Sequence, residues 1–272
     1  MKQALYFCHG LPGSPSDADL GFAGQFDLPP IIALDLFSAK APGDDPVKTA
    51  IAQFESLTGK IPDGSIHLLG FSIGAMLAIH IAAAHPERIK RLTLISPAAP
   101  LQLGNFLPHM AGQPLIRLAA RHPSLFLALT YGQGLLARAA PELLIRRLFA
   151  SAGGSEHALL EHPDAAEAIR QGLRHSYTHH PKGYARMIAA YVSDWSPVLT
   201  SILCPVDIWQ GTADRWVPLA MTQALADRLP GKVRLRLLEG AGHYSTLSHL
   251  NLGEDPAPSD RMRGFGALRV AL

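Results

Sequence analysis

The serine at position 72 lies in a short motif, Gly70-Phe71-Ser72-Ile73-Gly74, that suits a nucleophile. The apolar run before it, residues 65–69, predicts a buried strand, and the small-residue run after it, 75–84, predicts a helix. A strand, a G-x-S-x-G pentapeptide and a helix, in this order, are typical of a nucleophile elbow, which holds the serine hydroxyl at the carboxyl end of a sheet. The two glycines of the motif leave room for the close backbone approach of that turn.

A serine hydroxyl needs a base to take its proton, and the base needs an acidic group to orient it. On elbow-type folds these partners follow in the order serine, acid, histidine, each on the loop after a later strand. Two later apolar runs, 206–210 and 233–238, predict strands, and the loops after them contain Asp214 and His243. The sequence therefore predicts a Ser-His-Asp triad of Ser72, Asp214 and His243, which would attack a carbonyl group.

Four other residues are alternatives for the base or the acid of this triad. His9 could be a base, but it comes before the serine, and we expect it to brace a turn. Asp35 stands at the end of a predicted strand and Asp207 within one, so neither has the loop position of the acid. His249 lies near the right place, and we expect it on the surface of a final helix.

Predicted strands and helices alternate along most of the chain. The strands read as continuous apolar runs, which is typical of parallel strands covered on both faces. Between about residues 100 and 195 helical stretches alternate with Gly and Pro breaks, and no strand is evident. We expect an α/β fold with a mostly parallel sheet of about six strands, a core of residues 1–99 and 196–272, and a helical insertion over 100–195. The predicted strands are 4–8, 31–36, 65–69, 89–95, 206–210 and 233–238.

The motifs together resemble the serine-type α/β-hydrolase superfamily, especially its capped esterase- and lipase-like members. The resemblance spans nearly the whole chain and rests on His9-Gly10-Leu11-Pro12-Gly13, the motif around Ser72, Gly211-Thr212-Ala213-Asp214 and Gly240-Ala241-Gly242-His243. The chain departs from larger members in starting directly at the strand before His9, and it has no clear amphipathic helix after His243.

The resemblance implies a role for each of these residues. Ser72 would be the nucleophile, Asp214 the acid and His243 the base. The backbone N–H groups of Leu11 and Ile73 would form the oxyanion hole, and the insertion over 100–195 would be a cap over the active site. Phe71, Phe106 and Met110 are candidates for the lining of a substrate pocket, although the two cap residues could equally belong to the cap's own core and Phe71 could serve packing only.

The function that these features favour is hydrolysis of a carboxylic ester on a small or medium, partly apolar molecule, with no cofactor. Thioesterases, C–C bond hydrolases, proline iminopeptidases and cofactor-free haloperoxidases share the same fold and triad and stay as alternatives. A non-hydrolytic ligand receptor on this scaffold is a rival from another class. Aspartate-based epoxide hydrolases and haloalkane dehalogenases are disfavoured, because Ser72 occupies their nucleophile position.

The composition limits the partners. The chain has 272 residues, 48% of them hydrophobic, and a net charge of +2, so nothing suggests a nucleic-acid surface. We expect a small-molecule substrate, no membrane span and no signal peptide. The two cysteines are expected to be buried free thiols of a cytoplasmic protein. His175, His179 and His180 have spacing that a metal could use, but we expect a solvated cap face and no metal.

Overall fold

The central element is one parallel sheet of six strands. The computed structural model describes residues 4–22, 25, 28–37, 45–59 and 65–252. The strands pair in the order β2-β1-β3-β4-β5-β6, and all five pairings are parallel. The expected α/β fold is thereby confirmed. The strands are β1 (Ala4–Cys8), β2 (Ile31–Leu34), β3 (Ile66–Phe71), β4 (Ile89–Ile95), β5 (Val206–Gly211) and β6 (Val233–Leu238).

The middle strands are mostly buried because helices cover both faces of the sheet. Every residue of β3 and of β5 is buried, whereas the edge strand β6 alternates between exposed and half-buried positions. The helices are α1 (Asp17–Phe22), α2 (Pro46–Thr58), α3 (Gly74–Ala84), α4 (Gln113–Arg121), α5 (Pro123–Ala139), α6 (Pro141–Leu148), α7 (Gly154–Leu160), α8 (Pro163–Arg174), α9 (Pro181–Val192), α10 (Leu219–Arg228) and α11 (His243–Ser248).

The start of α2 follows from two adjacent residues. The carboxylate of Asp45 accepts the N–H groups of Val47 and Lys48, at 2.8 and 3.4 Å, and Pro46 fills the first helical position, where no N–H is needed. By contrast, α3 is mostly apolar, since eight of its eleven residues are buried directly after β3.

Residues 101–201, all of which the structure describes, contain helices and turns but no strand. This stretch includes α4 to α9 and a π-helical turn at His175–His179. Within the described ranges no helix is both long and apolar enough to cross a bilayer.

The structure differs from the sequence expectations mainly at element ends. The strand before the serine extends to Phe71, and the short helix α1 has no counterpart in the sequence reading. The helix after the histidine loop is α11, which has six residues and is almost wholly buried. Residues 253–272, where the sequence predicts no element, lie outside the described residues.

Candidate active site

Ser72 occupies a sharp turn between β3 and α3. Its φ is 55°, in the left-handed region that non-glycine residues rarely adopt. The turn brings α3 against β1: a Cβ atom on Gly74 would lie 2.2 Å from the carbonyl oxygen of His9. A Cβ atom on Gly70 would lie 2.7 Å from the Cα atom of Ala75. Both positions therefore require glycine, and the turn has the geometry of a nucleophile elbow.

The structure brings Ser72, His243 and Asp214 into hydrogen-bond contact. Nδ1 of His243 lies 2.7 Å from Oδ2 of Asp214, and Nε2 lies 2.9 Å from Oγ of Ser72. With a proton on Nδ1, the ring donates to the carboxylate and Nε2 accepts from the serine hydroxyl. All three side chains are buried. This arrangement can deprotonate the serine hydroxyl and hold the resulting imidazolium.

The carboxylate of Asp214 is fixed on both oxygens. Oδ1 accepts the backbone N–H groups of Trp216 and Val217, both at 2.9 Å. Oδ2, which faces His243, also accepts Nε2 of Gln210 at 3.3 Å. The loop after β5 thus presents the acid to the histidine in one orientation.

Two aromatic rings flank the imidazole of His243. The ring of Phe71 lies 4.9 Å away and that of Trp216 lies 5.1 Å away, measured between centroids. Phe71 is fully buried and packs against the histidine ring.

Leu11 and Ile73 lie beside the serine at the wall of one pocket. Among the described residues, neither the N–H of Leu11 nor that of Ile73 donates a hydrogen bond. The N–H of Gly10, next to Leu11, instead donates to Oδ2 of Asp17 at 3.0 Å. Two unpaired N–H groups near a nucleophile are what an oxyanion hole requires.

His9 braces the turn that contains Leu11. Nδ1 contacts the carbonyl oxygen of Gly10 at 2.8 Å, and Nε2 accepts the N–H of Leu36 at 3.3 Å. Burial lowers the pKa of His9 to about 4, so the ring is neutral near pH 7 and is used on both nitrogens. It does not contact Ser72.

The alternative acids and the spare histidine have partners elsewhere. Asp35 binds His175, with Nε2 of the histidine 3.0 Å from Oδ1. Asp207 accepts hydrogen bonds from Arg91 and Arg234. His249 follows α11, with Nδ1 2.6 Å from a carbonyl oxygen of that helix.

Of the described side chains, one group has ligand atoms close enough together to hold a cation, and it is not the trio of His175, His179 and His180 whose spacing was considered in the sequence. Ligand atoms of His9, Asp35 and His175 lie within 4.8 Å of one another, and His179 is not among them. Both nitrogens of His9 are already used by backbone groups, which opposes metal binding there.

The pocket at Ser72 has a volume of about 530 Å³ and is mostly apolar. Met110 lines it. Phe71 and Phe106 do not: the first packs on His243, and the second packs over Gly104, where a Cβ atom would lie 2.6 Å from its ring. Most of the lining comes from residues 110–191, including Leu115, Ile116, Leu129, Leu136, Leu144, Arg147, Tyr184 and Ile188.

Three polar residues of the site have no part in the sequence prediction. Asp17 holds the turn at Gly10, Gln210 holds Asp214, and Glu156 binds the first turn of α11. Gln210 could have been found, because a polar residue ends the apolar strand before the acid loop. Asp17 and Glu156 have no such signal, since each acts on a distant part of the chain.

Comparison with known proteins agrees with this fold. A family model described as the alpha/beta hydrolase fold matches residues 3–250. A pimeloyl-[acyl-carrier protein] methyl ester esterase from Aromatoleum aromaticum is 29% identical over 212 residues, which cover 74% of this chain and 75% of that protein. A protein of the same name from Neisseria meningitidis is 28% identical over 234 residues, which cover 81% of this chain and 78% of that protein.

Solved structures of other proteins have a fold similar to that of this chain. MenH from S. aureus superposes with a TM-score of 0.62 at 18% identity, over 91% of this chain and 88% of that one. An enol-lactonase from Burkholderia xenovorans superposes with a TM-score of 0.61 at 17% identity, over 90% of this chain and 85% of that one. At this level of identity the match concerns the fold alone. By its sequence over nearly its whole length and by its sheet, the chain belongs to the alpha/beta hydrolase fold family.

Proposed function

We propose that this protein is a serine hydrolase that cleaves a carboxylic ester through an acyl-enzyme intermediate. Ser72 is the nucleophile, His243 the base and Asp214 the acid. The observation that carries the proposal is the hydrogen-bonded series from Asp214 through His243 to Ser72, which ends at an apolar pocket. The similarity to proteins named methyl ester esterases supports an ester as the bond that is cleaved.

The proposed reaction uses each group at a definite step. The hydroxyl of Ser72 attacks the ester carbonyl while Nε2 of His243 takes its proton, and Asp214 stabilises the imidazolium. The N–H groups of Leu11 and Ile73 donate to the tetrahedral oxyanion, and one such donor contributes about 3–4 kcal/mol in well-studied hydrolases. His243 then protonates the departing alcohol. Finally it deprotonates a water molecule that releases the acid from the serine.

The proposal includes the division of the chain. Residues 1–99 and 196–272 form the hydrolase core, and residues 100–195 form a helical cap that supplies most of the pocket lining. The buried free thiols Cys8 and Cys204 support a reducing compartment such as the cytoplasm.

The pocket favours an acyl chain of moderate length. Its walls are largely leucine, isoleucine and alanine, with Arg147 also in the lining, on the exposed side of α6. A methyl ester on a medium acyl chain borne by a carrier, as in the name of the relatives, is therefore the second, narrower candidate. The apolar wall would hold the chain, while Arg147 would face the polar part of the molecule.

The nucleophile is tested by substitution. Ser72→Ala should lower turnover of p-nitrophenyl butyrate at least about a thousandfold and abolish labelling by a fluorophosphonate probe. Ser151→Ala, which removes another serine of the pocket lining, should change neither. Equal labelling of Ser72→Ala and the parent would show that the nucleophile is a different residue.

The substrate class is tested by a series of methyl esters from acetate to decanoate. We expect kcat/KM to rise with acyl length until the pocket is filled, and the methyl ester of a carrier-bound pimeloyl group to exceed dimethyl pimelate. Equal values for the last two would reject the carrier-bound candidate. Binding of these esters without any turnover would instead favour a ligand receptor.

A further inference from the structure

A buried carboxylate from the helical insertion contacts the helix that begins with His243. Glu156 lies on α7 and is 3% exposed. Oε1 accepts the N–H of Ser245 at 2.8 Å and the hydroxyl of the same serine at 2.7 Å. Oε2 accepts the N–H of Tyr244 at 3.2 Å. Two N–H groups in the first turn of α11 are therefore bound by a residue almost ninety positions earlier in the chain.

This contact replaces an ordinary helix cap. The first N–H groups of a helix have no partner within it, and the preceding residue usually supplies an oxygen for them. Here that residue is Gly242, which has no side chain. A Cβ atom on Gly242 would lie 2.6 Å from both Cγ and Oε1 of Glu156, so the glycine leaves the space that the carboxylate occupies. The negative charge also suits the positive end of the helix.

The position of the catalytic base depends on this turn. His243 is the first residue of α11, directly before the two residues whose N–H groups Glu156 binds. On the other side, the N–H of Gly242 donates to Oγ of Ser245 at 2.7 Å, and that oxygen is itself bound to Glu156. The backbone on both sides of His243 is thus connected to one carboxylate.

We infer that Glu156 is a positioning residue, which holds the backbone of His243 so that its ring meets Ser72 and Asp214 together. The inference rests on the proposed function, in which His243 is the base. No hydrogen bond or ring contact joins Glu156 to the imidazole among the described residues, so it acts through the backbone. Because α7 belongs to residues 100–195, this contact makes the position of His243 depend on the helical insertion.

The first test compares Glu156→Ala and Glu156→Gln with Glu161→Ala, an exposed glutamate that follows the same helix. A displacement of the base affects the chemical step, so we expect kcat of Glu156→Ala to fall roughly 10- to 100-fold with KM within about twofold of the parent. Fluorophosphonate labelling of Ser72 should slow in parallel. Glu156→Gln keeps one acceptor and should be intermediate, and Glu161→Ala should match the parent.

The second test is a double-mutant cycle with Gly242→Ala. The added methyl group should displace Glu156 and lower kcat by itself, but it should cost much less when Glu156 is already alanine. Additive effects, or an unchanged kcat in folded Glu156→Gln, would overturn the inference. If Glu156→Ala does not fold, Glu156→Gln and its cycle with Gly242→Ala decide the question. If Ser72→Ala retains the activity of the parent, the proposed function itself fails, whatever the Glu156 variants show.

Discussion

At the scale of single residues, the candidate triad depends on buried polar groups that hydrogen-bond to one another and to the backbone. Asp214 accepts four hydrogen bonds, two of them from the backbone, and Gln210 contacts it while accepting the hydroxyl of Thr222 at 2.7 Å. Such groups are costly to bury unless each finds a partner, so their positions are strongly specified by the fold. Asp17 is another such buried group, and its pKa is shifted.

Asp17 should make the protein less stable as the pH rises. Burial raises the pKa of Asp17 to about 8, even though the N–H groups of Gly10 and Ser14 donate to it. Between its unfolded value near 4 and pH 8, the folded state binds more protons than the unfolded state, so the free energy of unfolding falls with increasing pH. Asp17→Asn does not titrate. In urea denaturation from pH 5 to 8, its stability relative to the parent should increase steadily.

The control for this experiment is Asp19→Asn, on the exposed side of the same helix. Its stability should run parallel to that of the parent across the whole pH range. Parallel curves for Asp17→Asn as well would contradict a raised pKa of Asp17 in the folded protein.

At the scale of elements, the turn from β3 into α3 is packed closely against β1. The helix begins so close to β1 that Gly74 faces the carbonyl oxygens of Cys8 and His9. These are backbone atoms and cannot rotate away as a side chain could. Ile73, directly before this helix, and Leu11, on the loop after β1, both line the pocket at Ser72.

Gly74→Ala should therefore be strongly destabilising. A Cβ atom would lie 2.2 and 2.5 Å from two carbonyl oxygens, and we expect a loss of about 1–3 kcal/mol or more, measured by urea denaturation. The matched control is Gly132→Ala within α5, where a Cβ atom meets nothing within 4 Å. That change should stabilise the protein by about 0.5–1 kcal/mol. A neutral Gly74→Ala would show that β1 and α3 can separate.

At the scale of the whole molecule, the parallel sheet gathers distant parts of the chain at one edge. The loops after β1, β3, β5 and β6 all leave from the carboxyl ends of their strands, and they carry Leu11, Ser72, Asp214 and His243. Apart from these loops, a polar cluster links three strands. Asp207 on β5 accepts hydrogen bonds from Arg91 on β4 and Arg234 on β6.

Asp207→Asn should weaken the sheet without changing the active site. Burial alone would raise the pKa of Asp207, but hydrogen bonds from Arg91 and Arg234 outweigh it and hold the pKa below its usual value. Its stabilising effect is therefore present above about pH 4 and is lost as the pH falls further. Both arginine side chains are partly exposed, at 33% and 41%, so we expect a modest loss of about 1–3 kcal/mol at pH 7.

Urea denaturation at pH 7 and at pH 3 provides the measurement. The difference between Asp207→Asn and the parent should shrink at the lower pH, and kcat for a p-nitrophenyl ester should stay within about twofold of the parent. Asp227→Asn, an exposed aspartate on α10, should leave both quantities unchanged. A difference that grew toward pH 3 would contradict a lowered pKa.

The sequence alone was sufficient to locate all six strands, with end positions shifted by at most two residues, and to select Ser72, Asp214 and His243 as candidates. Strands of a buried parallel sheet are continuous apolar runs, and the elbow motif and the residue order of the triad are local or linear features, so one-dimensional information contains them. The sequence also offered Met110, Phe71 and Phe106 as pocket candidates; Met110 lines the pocket at Ser72, whereas Phe71 packs on His243 and Phe106 packs over Gly104.

Only the tertiary structure decided which distant groups support those candidates. Phe71 is next to Ser72 in sequence, yet its ring is fully buried and packs on the imidazole of His243, a residue far along the chain. Glu156 lies far from His243 along the chain, and no spacing or motif relates them. Hydrogen bonds of this kind are specified by how helices pack in three dimensions, since any polar residue on the correct helix face could have made the contact.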